Sequence, residues 1–217
     1  MFNIAEILTL NDLNKPYVIF LRHAEKAPLK KNEADYDRTI TENGYLQSEL
    51  FAKQLKAQGI NLNQIKTSPV PRCVQTAEVI KSNLDQLDII HSNLLGNPGA
   101  YIFDDQLAAR AFSDNDVIAV INKLKHGEHF PGFRSLEEGS NILLNEVEAD
   151  LRSSSNSIYL THDVILASLL TQLLNLSFTY KNWIDYLQGF ILIPDHTGNL
   201  KILLSHTNVT IERATLC

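Results

Sequence analysis

The chain carries little sulfur: two cysteines, Cys73 and Cys217, in 217 residues. That argues against a disulfide-stapled extracellular scaffold, fits a reducing cytoplasm, and leaves at most one bridge open. Positive charge is scarce too. Nineteen Lys and Arg stand against 25 Asp and Glu, a net charge of −6, whereas nucleic-acid binders present a basic face. No apolar run approaches the ~20 residues that span a bilayer, so no membrane partner is expected. The opening "MFNIAEILTLNDLNK" lacks the basic-then-apolar order of a secretory signal. Repeats, low-complexity tracts and linkers are missing, and one domain over residues 1–217 is expected. There is no GxxxxGKS/T phosphate loop either.

What remains is an ordinary globular composition, 44% hydrophobic and 20% charged, arranged as alternating strands and helices. Strand patterns occur at "YVIFL" (17–21), "QIKTS" (64–68), "LDIIH" (87–91), "SIYLTH" (157–162), "FILIP" (190–194) and "KILLSH" (201–206). The last two flank "DHTGN" and read as a hairpin. Helical spacing predicts a helix within 41–59, with Leu46, Leu50, Phe51 and Leu55 on its inward face. Further helices are expected from Pro71 to Leu84, Leu136 to Leu151 and Asp163 to Leu176, the last apolar nearly all round. The order predicts an α/β fold: a three-layer αβα sandwich with a mostly parallel central sheet and an antiparallel C-terminal edge hairpin. Residues 92–138, rich in Gly, Pro, Phe and His, read as an insertion covering the sheet. Tyr101, Phe103, Phe130 and Phe133 are expected to pack that insertion onto the body.

Three strand ends carry side chains suited to an anion. "VIFLRH" ends in Arg22 and His23, "IKTSPVPR" leads to Arg72 at a helix start, and "IYLTHD" ends in His162 and Asp163. In an open α/β sheet, ligands bind beyond the carboxyl ends of the strands. Two arginines and two histidines gathered there are costly unless an anion lies between them. Guanidinium forks and helix N-termini both suit phosphate oxygens.

Taken in chain order, "RHAE", "ITENGYLQ", "SPVPRCVQTA" and the late "THD" resemble the histidine phosphatase superfamily, the phosphoglycerate-mutase-like and acid-phosphatase-like enzymes. The resemblance runs from about Tyr17 to about Leu170. It implies the phosphoglycerate-mutase-like form of the sandwich, with His23 as nucleophile and Arg22, Arg72 and His162 as the phosphate pocket. Lys26 would add a point-charge contact to the phosphate. The implied reaction is metal-independent hydrolysis of a phosphate ester through a phosphohistidine, with no cofactor; the covering insertion suggests a partial lid and hence a small soluble substrate. The general acid is ambiguous, because "RHAEKAP" shares Glu25 with one branch ("RHGE") and Pro28 with the other ("RHGxRxP"). The late "HD" makes Asp163 the first choice and Asp104 and Asp105 the reserve; Glu25 is expected to pair with one of the cations. Two alternatives stay open: a phosphohistidine protein phosphatase, since "DYDRTITENG" resembles that group's "DxDRPLTxxG" loop, and a non-catalytic phospho-ligand-binding module.

Two competing signals fall away. "DYDRT" matches the DxDxT of haloacid-dehalogenase-like phosphatases, but no apolar strand precedes it. His126 and His129 lie beside Gly127 and Pro131, which break the helix that would align them, so no metal site is expected.

Overall fold

The computed structural model describes residues 2–10, 13–30, 34–84, 87–197, 199–205 and 208–211. Cys217 and His206, both part of the sequence expectations, lie outside these residues; Cys73 is a buried free thiol.

Seven strands among the described residues join in one sheet. They are β1 (Val18–Arg22), β2 (Gln64–Thr67), β3 (Asp88–His91), β4 (Ser157–Thr161), β5 (Gly189–Pro194), β6 (Leu200–Leu203) and β7 (Asn208–Ile211). The order across the sheet is β3-β2-β4-β1-β5-β6-β7. The first four strands run parallel to one another, while β5, β6 and β7 meander antiparallel at one edge. The predicted hairpin is thus β5–β6, and β7 extends it. The sequence reading missed β7 because "NVTI" alternates exposed and half-buried residues and offers no apolar run.

Strands β1 and β4 are buried along their whole length, which is why they read as unbroken apolar runs. Val18, Phe20 and Tyr159 face one layer, built from Ile121 of α5 (Val117–Lys125), Leu143 and Val147 of α6 (Leu136–Arg152), and Leu166 and Leu169 of α7 (Asp163–Leu174). Ile19, Leu21, Ile158 and Leu160 face the other layer. That layer contains Ile7 of α1 (Ile4–Leu10), Phe51 and Leu55 of α2 (Glu42–Ala57), and Ala77 and Ile80 of α3 (Pro71–Asn83). This is the three-layer sandwich expected. Helix α7 is the core helix its composition implied, buried continuously from Ile165 to Thr171.

Two readings change. The inward face of α2 is Gly44, Ser48, Phe51, Ala52 and Leu55, while Leu46 and Leu50 are 59% and 60% exposed. Small residues let this face sit close to its neighbours, and a reading weighted toward large apolar side chains picked a stripe rotated off it. Residues 92–138 hold helix α4 (Asp105–Asp114) as well as α5. Asp104 and Asp116 cap them, accepting from the N–H groups of Leu107 and Ile118. The Gly- and Pro-rich flanks masked a stretch, 105–125, that contains neither residue. No helix among the described residues is long and apolar enough to cross a membrane.

Candidate active site

The sheet register assembles the site. Arg22 of β1 pairs with Thr161 of β4, and Thr67 of β2 pairs with Leu160. The next residues, His23, Ser68 and His162, therefore leave the sheet side by side. The ladder carries on into them, with His23 N–H donating to the Thr161 carbonyl and Ser68 N–H to the Leu160 carbonyl, both at 3.0 Å. Arg72 comes from the first turn of α3, which Pro71 starts without leaving an N–H unpaired. Arg22, His23, Arg72 and His162 are all buried.

Hydrogen bonds decide the tautomer of each ring. His23 Nδ1 lies 2.7 Å from the Ala24 carbonyl, which can only accept, so Nδ1 carries the proton. Nε2 keeps its lone pair and accepts from Arg72 Nε at 3.2 Å. Burial, then the neighbouring His162 ring and the Arg72 charge, push the His23 pKa well below 6.5, so the ring is neutral. His162 is arranged the other way round. Its Nδ1 faces Arg72 Nη2 at 3.4 Å, and its Nε2 sits 3.0 Å from Ser68 Oγ, which in turn donates to the Gly96 carbonyl at 3.3 Å. Burial and the Arg72 charge hold His162 neutral too.

Gly96 has to be glycine: its φ is +137°, and a Cβ would lie 2.5 Å from His162 Cδ2. Thr76 secures the loop beneath, accepting from Ala24 N–H at 3.1 Å and donating to the Arg72 carbonyl at 2.7 Å. Cys73 Sγ lies 3.6 Å from His162 Nε2, and burial pushes its thiol up to about 12, which leaves it inert.

Arg22 is anchored by the chain between Asp163 and Tyr186. Its Nη1 donates to the Ile184 carbonyl at 2.6 Å, its Nη2 pairs with Asp163 Oδ2 at 2.7 Å, and the Tyr186 ring lies 4.3 Å from the guanidinium carbon. Arg22 Nε is buried without a partner. Asp163 is fully engaged, because Oδ2 also accepts from Trp183 Nε1 at 3.0 Å and Oδ1 from Val164 N–H at 2.9 Å. Three N–H donors on its two oxygens suit a group that positions Arg22 better than one that gives up a proton.

Arg72 has a carboxylate partner as well, on a different footing. Asp35, in the short turn Asp35–Asp37, accepts from Arg72 Nη2 through Oδ2 at 3.0 Å and from Nη1 through its backbone carbonyl at 2.6 Å. Lys26 Nζ (3.0 Å) and Arg38 Nη1 (2.7 Å) hold the other carboxylate oxygen. Burial works to raise the Asp35 pKa, but Arg72, Arg38 and Lys26 outweigh it and hold it at about 2. Lys26 thus reaches the pocket's charge cluster through Asp35. Among the described residues Glu25 pairs with no cation: it accepts from Thr41 Oγ1 and Asn43 Nδ2, both at 2.8 Å, and so ties the "RHAE" loop to the start of α2. The sequence reading missed Asp35, Ser68, Thr76 and Tyr186 as site residues. The first three lay inside motifs already quoted; nothing in the sequence marked Tyr186.

From Arg72 and His162 a cavity of about 390 Å³ extends beneath α4 and α5. Tyr101 and Phe133 line it, whereas Phe103 is 59% exposed, so the insertion's aromatics divide between lining and surface. Asp105 also lines this cavity, whereas Asp104 is spent on capping α4, 3.0 Å from Leu107 N–H. His126 and His129 are exposed beyond the end of α5, and among the described residues no three His, Cys, Asp or Glu side chains gather to hold a metal.

Comparison with known proteins gives the family and the fold. The family model of the histidine phosphatase superfamily (branch 1) matches residues 18–208. Solved structures share the fold. Bacillus stearothermophilus YhfR aligns at a TM-score of 0.56 and 18% identity, over 85% of this chain and 94% of that one. The ecdysone phosphate phosphatase of Bombix mori, in complex with tungstate, aligns at 0.53 and 16%, over 82% and 89%. The protein histidine phosphatase SixA, also with tungstate, aligns at 0.50 and 20%, over 89% and 96%. No curated protein sequence matches the chain. With the family model spanning the sheet from β1 into β7, the chain belongs to the histidine phosphatase superfamily, branch 1.

Proposed function

We propose that the protein is a metal-independent phosphomonoesterase that works through a phosphohistidine on His23. The observation that carries this is the His23 ring: neutral, its Nδ1 proton committed to the Ala24 carbonyl, and its Nε2 lone pair beside Arg72. A substrate phosphate takes the place of Asp35 on Arg72. Nε2 attacks phosphorus in line, an N–P bond forms, and the ester O–P bond breaks. Arg72 and Arg22 stabilise charge on the equatorial oxygens, the part a metal plays in other phosphatases. Water then attacks the phosphohistidine, the N–P bond breaks, and inorganic phosphate leaves. The leaving oxygen needs a proton. Asp163 is engaged by Arg22 and Asp35 by three cations, so Asp105 is the carboxyl group proposed to supply it.

The structural likeness to SixA and the "DYDRT" turn favour a second reading, a phosphohistidine protein phosphatase. The cover formed by α4 and α5 weighs toward a small ester instead. Incubation with an aryl phosphate separates these from a binding module. Turnover unaffected by a chelator and lost in His23→Ala is expected. Chelator-sensitive turnover, or tight binding without turnover, contradicts the proposal.

A further inference from the structure

Building on the phosphatase reading above, we propose that the substrate is the phosphate monoester of a mainly apolar alcohol or phenol, whose carbon skeleton fills the cavity beneath α4 and α5. Beyond Arg72 and His162 most of the wall is apolar, with Tyr101, Phe112, Ile121, Leu124, Phe133 and Ile165 in it. The Tyr101 hydroxyl is paired with Ser140 Oγ at 2.9 Å, which leaves the ring as its contribution to the wall. Gly139 on α6 makes that seat possible, since a Cβ there would come within 2.2 Å of Tyr101 Cδ1. The Phe112 and Phe133 rings stand edge to face with centroids 5.3 Å apart, both half-buried and bordering open space. Apolar rings facing water are unfavourable, and an apolar occupant removes that cost.

Charge points the same way. Among the described residues, Arg72 is the one cationic side chain on the cavity wall, and Asp35 and Asp105 are acidic. With Arg72 committed to the transferred phosphoryl group, a second phosphate or a carboxylate on the substrate would meet Asp105 and no free cation of the described wall, because Lys26 and Arg38 lie against Asp35. The volume, about 390 Å³, suits a small molecule, whose sites run from about 300 to 1,000 Å³.

The test compares n-propyl, n-butyl and n-hexyl phosphate with glycerol phosphate and phosphoglycolate. kcat/KM is expected to rise about two- to fourfold for each methylene the cavity buries, with phosphoglycolate the poorest. Ala109→Lys, at an exposed position of α4 on the cavity wall, is expected to cut the hexyl-over-propyl ratio about tenfold. Wild-type binding of hexylphosphonate and carboxymethylphosphonate, followed by calorimetry, needs neither a variant nor turnover; the hexyl compound is expected to bind at least about tenfold more tightly. His23-dependent turnover with a flat alkyl series, or with phosphoglycolate preferred, overturns the substrate class and leaves the phosphatase reading intact. Selective hexylphosphonate binding without turnover of any ester does the reverse. A folded Ala109→Lys protein with an unchanged ratio also overturns the substrate class.

Discussion

The two arginines at the carboxyl edge of the sheet are held in opposite ways. Arg22 pairs with Asp163, a carboxylate 25% exposed that is fixed by Trp183 and Val164 as well. Arg72 pairs with Asp35, a carboxylate 52% exposed on a three-residue turn. Ion pairs shielded from water are hard to part, while exposed ones are worth little and exchange readily. In the proposed reaction, one guanidinium is a fixture and the other gives up its carboxylate partner to the phosphate. Bare buried charge is costly, and Asp163 and Asp35 each offset that cost for one arginine.

The comparison breaks first at Asp163. Asp163→Asn keeps the shape but removes the charge that anchors Arg22. kcat/KM is expected to fall about tenfold or more, equally for esters with good and poor leaving groups, with a stability loss of about 1–3 kcal/mol seen by thermal melting. Asp105→Asn should slow only the poor leaving groups. If the two variants exchange these patterns, Asp163 is the proton donor after all and its grip on Arg22 is secondary.

Asp35→Asn probes the releasable side with a smaller effect. Removing the competing carboxylate is expected to lower KM for anionic substrates about threefold with kcat little changed, and to tighten inhibition by phosphate. A raised KM would mean that Asp35 helps to hold substrate. The smallest expected change is a silence: the His23 pKa is depressed, so protonation sets in only well below pH 6.5. In NMR of the free enzyme, the His23 ring should show no titration between about pH 7.5 and 6.0, where an exposed imidazole titrates. A midpoint near 6.5 would contradict the buried, neutral nucleophile.

How much of this the sequence revealed depends on how local the cause is. Strands β1 and β4 and the residues at their ends were readable because burial on both faces leaves an unbroken apolar run. Arg22, His23 and His162 are neighbours through register, while Arg72 follows β2 on the first turn of α3. Partners set by long-range contact were not readable. Asp163 in "THD" offered no sign that Trp183 and Arg22 would claim its oxygens, and Asp35 looked like one more acid in a polar loop. Helices α4 and α5 were hidden by their flanks, and β7 by having little to bury.

The proposed reaction passes through a covalent bond between phosphorus and one nitrogen. Rapid quench of the protein with a labelled aryl phosphate should trap a phosphoprotein that is labile in acid and stable in alkali. The phosphate should map to Nε2 of His23 and disappear in His23→Ala. An acid-stable adduct, or one that survives the loss of His23, would contradict it.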